Sequence, residues 1–372
     1  MLGVGRGSDG DGELEAAPRL ENGAGRRGRV VFFLQGERVP AARARGTALL
    51  PALAKVGFEC VTHTPYPSVY GDTRLPWPLN RPRPLYVPWS FVKRFAELRD
   101  LRPDDLVFFQ RPMSELPTLA LERRAARGRR TVFDFDDAIF MNRATRGKFR
   151  ALVGMVDHVI AGNSFLADMA GVPGKTTVIP TVVNTSRFRQ LPAGESRGKD
   201  VIVGWTGSAV GYKYLAMAAP GIARALDRTG ARFRVIADRP PPASLASLRP
   251  EFVRWNPDTE IADLGTFDVG IMPLTDGLPE RGKCAYKLIQ YMAVGRAAVA
   301  SPVGANGEVV THGVNGFFAA TDQQWEETLV RLVNEPAERR EVGEAGRRRV
   351  VAAYSVEAVI PAYVDVLTRL SR

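Results

Sequence analysis

Short apolar runs rich in Val, Ile and Phe alternate along the chain with helix-length amphipathic stretches from Arg29 onward. The runs of the first half are RVVFFL (29–34), FECVTHT (58–64), DLVFFQ (105–110), TVFDFD (131–136), HVIAGN (158–163) and TTVIPT (176–181). A polar break, RQLPAGESRGKD (189–200), interrupts the rhythm. It resumes with VIVGWTG (201–207), RFRVIAD (232–238), EFVRWNP (251–257), FDVGIMPL (267–274), AAVASPVG (297–304) and NGFFAA (315–320). Runs that stay apolar without alternating fit strands buried on both faces of a parallel sheet. Helical periodicity fills the gaps, as in TALLPALAKVG (47–57) and TDQQWEETLVRLVNE (321–335). The pattern predicts an α/β protein of two doubly wound, Rossmann-like domains, residues 29–188 and 201–355, joined by a linker at 189–200 and facing each other across a cleft. Residues 1–28, Gly-rich and without periodicity, read as a disordered tail. Ligands of such sheets bind outside the carboxyl ends of the strands.

Composition narrows the classes. Apolar residues at 45% and charged residues at 24% are those of a globular protein. No apolar run approaches the length of a membrane span. The opening MLGVGRGSDGDGELE has no apolar stretch behind a basic flank, which reads as the absence of a signal peptide and a cytoplasmic location. Two cysteines, Cys60 and Cys284, and three scattered histidines, His63, His158 and His312, make neither a disulfide framework nor a zinc site. The net charge of +11 rests on Arg, with only eight Lys among 51 basic residues, which is a compositional skew. It is concentrated in RRAARGRR (123–130) and in Arg143, Arg146, Lys148 and Arg150. Such a face suits the phosphates of nucleic acid, anionic lipid or a nucleoside diphosphate, and equally a plain solvated surface. The sequence holds no helix-turn-helix, zinc-finger or RNA-binding strand motif, so nucleic acid is not expected as a partner.

The chemistry concentrates in residues 279–318, PERGKCAYKLIQYMAVGRAAVASPVGANGEVVTHGVNGFF. Read as a helix opening near Lys283, it places Lys283, Lys287 and Gln290 on one face. Two lysines beside a helix N-terminus make a diphosphate cradle, or else the solvated face of an ordinary amphipathic helix. Beyond it Gly304 leaves room for a ligand, and Glu308 opens the next helix, where an acid also suits the helix dipole. The turn GWTGS offers the N–H groups of Gly207 and Ser208 to phosphate. In the first half VFDFDDAIF ends a strand in Asp134, Asp136 and Asp137. Clustered carboxylates of this kind meet cations or sugar hydroxyls, or cap the next helix. Arg43 and Arg45, after the first strand, read as cleft cations or as plain surface, and Asn163, after the fifth, falls at the cleft.

The run GKCAYKLIQYMAVGRAAVASPVGANGEVVTHGVNGFFA is similar to the donor-binding region of bacterial family 4 (group 1) glycosyltransferases. The likeness extends through VFDFDDAIF, DHVIAGNSFLADMA, TVIPTVVNTSRF, VIVGWTGS and TEIADLGTFDVGIMPL to GRRRVVAAYSVEAVIPAYVDVL, over about residues 29 to 370. The resemblance implies the GT-B arrangement, with a nucleotide-sugar donor held mainly by the second domain and transfer with retention of configuration. It implies no bound metal and no cofactor, and a last helix, here within 356–372, that crosses back to the first domain. Carried over by position, Gln290 stands where the family has a Glu that binds the donor ribose. Gly282 replaces a second Glu, and Trp205 and Gly211 fall near a basic pair. That leaves the diphosphate to Lys283, Lys287 and the 206–208 turn.

The function expected from this likeness is transfer of a sugar to a hydroxyl of a cell-surface polysaccharide or glycolipid precursor. Asp136 or Asp137 would orient the acceptor. The acceptor would be a saccharide or lipid-linked, and the basic first domain would rest on the anionic inner face of the cell membrane. The alternative is a nucleotide-sugar-binding protein with lost or weak transfer activity.

Overall fold

The computed structural model describes residues 27–65, 83–141, 146–192 and 198–371. The tail reading of 1–28 falls almost wholly outside these residues, as do Arg143 and the middle of the 189–200 linker. Twelve parallel strands form two six-stranded sheets. The first contains β1 (Gly28–Phe33), β2 (Phe58–His63), β3 (Leu106–Gln110), β4 (Arg130–Phe135), β5 (His158–Ala161) and β6 (Thr176–Val178), in the order β2-β1-β3-β4-β5-β6. The second contains β7 (Ile202–Gly207), β8 (Arg232–Ala237), β9 (Glu251–Arg254), β10 (Val269–Met272), β11 (Ala297–Ala300) and β12 (Phe317–Phe318), in the order β12-β11-β10-β7-β8-β9. Each overlaps an apolar run of the sequence, and the two facing doubly wound sheets are the GT-B architecture.

The unbroken apolar character of the strands has a direct cause. In the first sheet Val30, Phe32, Phe108, Val132 and Ile160 enter one core layer. Their neighbours Val31, Phe33, Val107, Phe109, Phe133 and Phe135 enter the other. Helices cover both faces, so neither parity is left to water. The second sheet is likewise sandwiched, with Trp205 and Trp325 on one side and Tyr291 and Met292 on the other.

Helices differ from the sequence reading at their starts. The stretch at 47–57 is helical over Leu50–Lys55, preceded by a wide π-type turn at Arg43–Thr47 closed by Ala48 N–H donating to Arg43 O at 2.9 Å. Gly46 allows that turn to press on β1, since a Cβ there would lie 2.6 Å from Leu34. The stretch at 321–335 forms the helix Asp322–Asn334, with Thr321 and Gln324 in a reciprocal capping box. Among the described residues no helix is long and apolar enough to cross a membrane.

The helix Val356–Leu370 leaves the second domain and packs on the first. Ser355 caps it by accepting from Ala358 N–H at 3.0 Å. Val356, Val359, Ile360, Tyr363, Val366 and Leu367 follow helical spacing and join the core layer of Val30, Phe32 and Phe108. The first domain's core is therefore completed by the end of the chain. Ile360→Ala, at a fully buried position, is expected to cost about 2–5 kcal/mol of stability in urea unfolding. A cost near zero would mean that the returning helix is not part of that core.

Candidate functional site

The carboxyl ends of the two sheets meet at a loop of the second domain. Between the short helix Leu278–Arg281 and the helix Tyr286–Ala293, residues 282–285 of the second domain lie under β4 and β5 of the first. Asn163 Nδ2 donates to Arg281 O at 3.3 Å and to Lys283 O at 3.1 Å, while its Oδ1 accepts from Leu166 N–H and caps the helix Ser164–Ala170. The Cys284 thiol donates to Asp136 O at 3.3 Å. Gly162 and Gly282 permit the contact, since a Cβ would meet Cys284 Sγ at 2.4 Å and Ala138 Cβ at 2.7 Å respectively. Asn163 thus joins the domains.

This docking corrects the expected helix start. Ala285 holds a left-handed conformation (φ 51°), so the helix opens at Tyr286 and Lys283 precedes it. The two lysines nevertheless converge. The Lys287 ammonium sits 5.7 Å from the Trp205 ring centre and that of Lys283 5.8 Å from the Tyr214 ring. Neither has a hydrogen-bond or ion-pair partner among the described residues. Burial, reinforced by the charge of Lys283, lowers the Lys287 pKa to about 8. Gly207 lies against this stem, where a Cβ would come within 2.8 Å of Lys287 Cε, and Ser208 follows it, exposed at the end of β7. The recess therefore combines two unneutralised cations, two aromatic walls and a glycine turn.

Around it, Glu280 is buried and accepts from the Tyr214 hydroxyl, with Lys213 at 3.8 Å. Burial and Glu280 push the Tyr214 hydroxyl pKa well up. Gln290 is buried, and its amide donates to Glu260 Oε1 at 3.0 Å. Glu260 also accepts from Trp255 Nε1 at 3.3 Å and from Arg43 of the first domain at 2.5 Å. Beside Tyr286 a cavity of about 360 Å³, lined by Arg38, Arg43, Asn184 and Arg187, opens on the linker side of the cleft. It adjoins the lysine recess across the first turn of the Tyr286–Ala293 helix.

Other sequence candidates sit differently. Arg45 and Asp134 are fully buried and bonded to each other, with Arg45 also donating to Ile179 O at 2.9 Å, so the expectation that they face the cleft is corrected. The pair ties the first helical turn to β4, and burial pushes the Asp134 carboxyl upward. Gly304 (φ 53°) packs on the backbone of Arg281, where a Cβ would lie 2.8 Å from Arg281 Cα; it serves loop packing, and the expected space for a ligand is taken. Glu308 Oε1 accepts from Ser164 of the first domain at 2.7 Å. Asp136 Oδ1 takes Arg111 Nε at 3.0 Å and Nη2 at 2.7 Å, whereas Asp137 caps Ala138 N–H and keeps its carboxylate nearly half exposed. Sequence reasoning assigned no role to Arg111, Glu260 or Tyr214. Arg111 had a signal in its place at a strand end, and its positive φ of 65° shows only in three dimensions. Among the described residues no group of three His, Cys, Asp or Glu side chains is placed to hold a metal.

Residues 200–335 match the family model described as "Glycosyl transferases group 1". Several solved structures share the fold. Sucrose-phosphate synthase from Thermosynechococcus elongatus superposes with TM-score 0.63 at 16% identity, over 92% of this chain and 99% of that one. HepE of Anabaena, in complex with UDP and glucose, gives 0.62 at 13%, over 92% and 100%. A glycosyltransferase from Rickettsia africae gives 0.64 at 11%, over 92% and 98%. No curated protein sequence matches the chain. The protein is of the GT-B class. Within its second half residues 200–335 are similar to the group 1 glycosyltransferase model, and the lysine recess lies within those residues.

The lowered Lys287 pKa gives this site a pH signature. Below about 8 the Lys287 ammonium is charged; above it the Lys287 amine is neutral, and an anion held by its charged form would bind with uptake of a proton. Affinity for a nucleoside diphosphate is therefore expected to fall as pH rises from 7 to 9.5, and Lys287→Met is expected to flatten that fall in calorimetric titration. An identical slope in the variant would assign the titration to another group.

Proposed function

We propose that the protein is a retaining glycosyltransferase that moves a sugar from a nucleoside-diphosphate sugar to a hydroxyl of a saccharide or glycolipid precursor. The observation that carries this is the pair Lys283 and Lys287, unpartnered among the described residues in a recess of the matched domain and aimed with Gly207 and Ser208 at the cleft. Cleavage of a glycosyl phosphate leaves negative charge on the departing diphosphate. Fixed cations in a water-poor recess stabilise that charge as it develops. Uridine is the base to test first, because HepE of Anabaena carries UDP in its complexes.

Asp137, with its exposed carboxylate, orients the acceptor hydroxyl, and Asp136 is held beside it by Arg111. The proton then passes to the departing phosphate oxygen on the same face of the sugar. Closure of the cleft, through Asn163 on the Arg281–Lys283 backbone and Ser164 on Glu308, shields the donor from water. The charge for the leaving group comes from the lysines, so no metal is required in this reading.

Lys287→Ala is expected to weaken binding of uridine diphosphate by ~1.5–3 kcal/mol, read by calorimetry at pH 7. Unchanged affinity would remove the recess from the site. Asp137→Asn is expected to keep donor affinity while lowering turnover roughly 100-fold. Should the parent protein bind the donor and yield no product with any acceptor, the chain would instead be a nucleotide-sugar-binding protein.

A further inference from the structure

The cavity on the linker side of the cleft is polar, and the lysine chemistry does not use it. It encloses about 360 Å³, the size of a small-molecule site. Its walls come from three parts of the chain: Arg38 and Arg43 after β1, Asn184 and Arg187 just before the linker, and Tyr286 at the start of the helix that carries Lys287. Successive residues of a helix point about 100° apart. Tyr286 therefore lines the cavity, while Lys287 turns to Trp205 in the recess.

The lining holds more hydrogen-bond donors than partners for them. Arg43 Nη2 is taken by Glu260 at 2.5 Å, but its Nη1 is buried without a hydrogen-bond partner. The half-buried Arg38 and the Tyr286 hydroxyl make no hydrogen bond or ion pair among the described residues. Asn184 Oδ1 accepts from the N–H groups of Ser186 at 3.0 Å and Arg187 at 3.2 Å, which leaves its Nδ2 to donate elsewhere. Arg187 is exposed and donates from Nη2 to Pro257 O of the second domain at 2.8 Å. Burial and the Glu260 carboxylate push the Tyr286 hydroxyl pKa up, against the opposing charges of Arg43 and Arg187. Both cations thus lie near a hydroxyl that stays protonated. The carboxylates of the lining, Glu37 and Asp258, belong to exposed residues at its edge. Buried donors left unmatched in this way call for an acceptor from outside.

We propose that this cavity is a second ligand site, separate from the lysine recess, and that it takes a small phosphate monoester. The phosphate lies among Arg38, Arg43 and Arg187 and accepts from the Tyr286 hydroxyl and the Asn184 amide. The hydroxyl-bearing body of the ester faces the carboxylates of Glu37 and Asp258. Together these donors exceed the roughly four acceptor positions of a carboxylate and suit the oxygens of a phosphate. Guanidinium forks match phosphate in geometry as well as charge. A ligand held there touches the first domain, the segment before the linker and the second domain at once. The proposal goes beyond the transfer reaction and holds whether or not a nucleotide binds at the lysines.

The test is calorimetric titration of the full chain with glucose 6-phosphate, glycerol 3-phosphate and inorganic phosphate, and with glucose as the uncharged control. The double variant Lys283→Met/Lys287→Met, which removes the recess as a competing anion site, is titrated in parallel. At least one ester is expected to bind the parent and this variant alike, with glucose at least about tenfold weaker. Arg38→Ala/Arg187→Ala is expected to weaken that binding about tenfold or more. Its melting temperature and its affinity for uridine diphosphate should stay at parent values. Absent binding of both esters, binding lost in the lysine variant, or binding unmoved by the arginine variant would each overturn the proposal. So would tighter binding of inorganic phosphate than of either ester, or loss of uridine diphosphate binding in the arginine variant, which would make the cavity part of the nucleotide site. Failure of the parent to bind uridine diphosphate, measured separately, would count against the transferase reading alone.

Discussion

The loop 282–285 must fit beneath β4 and β5, and the rest of the cleft follows from that fit. Asn163 holds the carbonyls of Arg281 and Lys283, and Cys284 fills the notch left by Gly162. The chain can then enter the helix Tyr286–Ala293 only by passing through the left-handed Ala285. That kink throws Lys283 and Lys287 toward the same space, beside the aromatic rings of Tyr214 and Trp205. Two like charges are held close in a desolvated recess at a cost, seen in the lowered Lys287 pKa. Groups shifted in this way gather at functional sites.

A second constraint is the return of the chain's last helix. Because Val356–Leu370 completes the first domain's core, the two domains are tied both by the 189–200 segment and by this helix. The Arg43–Glu260 ion pair and the Ser164–Glu308 hydrogen bond add contacts between the domains. Glu260 also holds Gln290, so Arg43 is linked to the lysine helix through two hydrogen bonds.

The central strands were legible because burial on both faces favours apolar residues there, and all twelve overlap runs visible without the structure. Helix starts were less so. Periodicity marks Leu288 and Met292, but it does not register a single Ala in left-handed conformation, so the helix reads three residues too early. Strand-end polar residues look alike in sequence: Asp134 and Asp137 lie three apart, yet one is sealed against Arg45 and the other half open to the cleft. Side-chain direction in the sheet separates them, since Asp134 points into the layer shared with the returning helix. Glu260 gave no signal, because its partners Arg43, Trp255 and Gln290 come from three separate parts of the chain.

The most direct measurement is a crystal structure of the protein with bound uridine diphosphate. The phosphates are expected between the ammonium groups of Lys283 and Lys287, with the N–H groups of Gly207 and Ser208 within hydrogen-bond reach. Phosphates seated instead among Arg38, Arg43 and Arg187, with the lysine recess empty, would contradict the assignment of the diphosphate site.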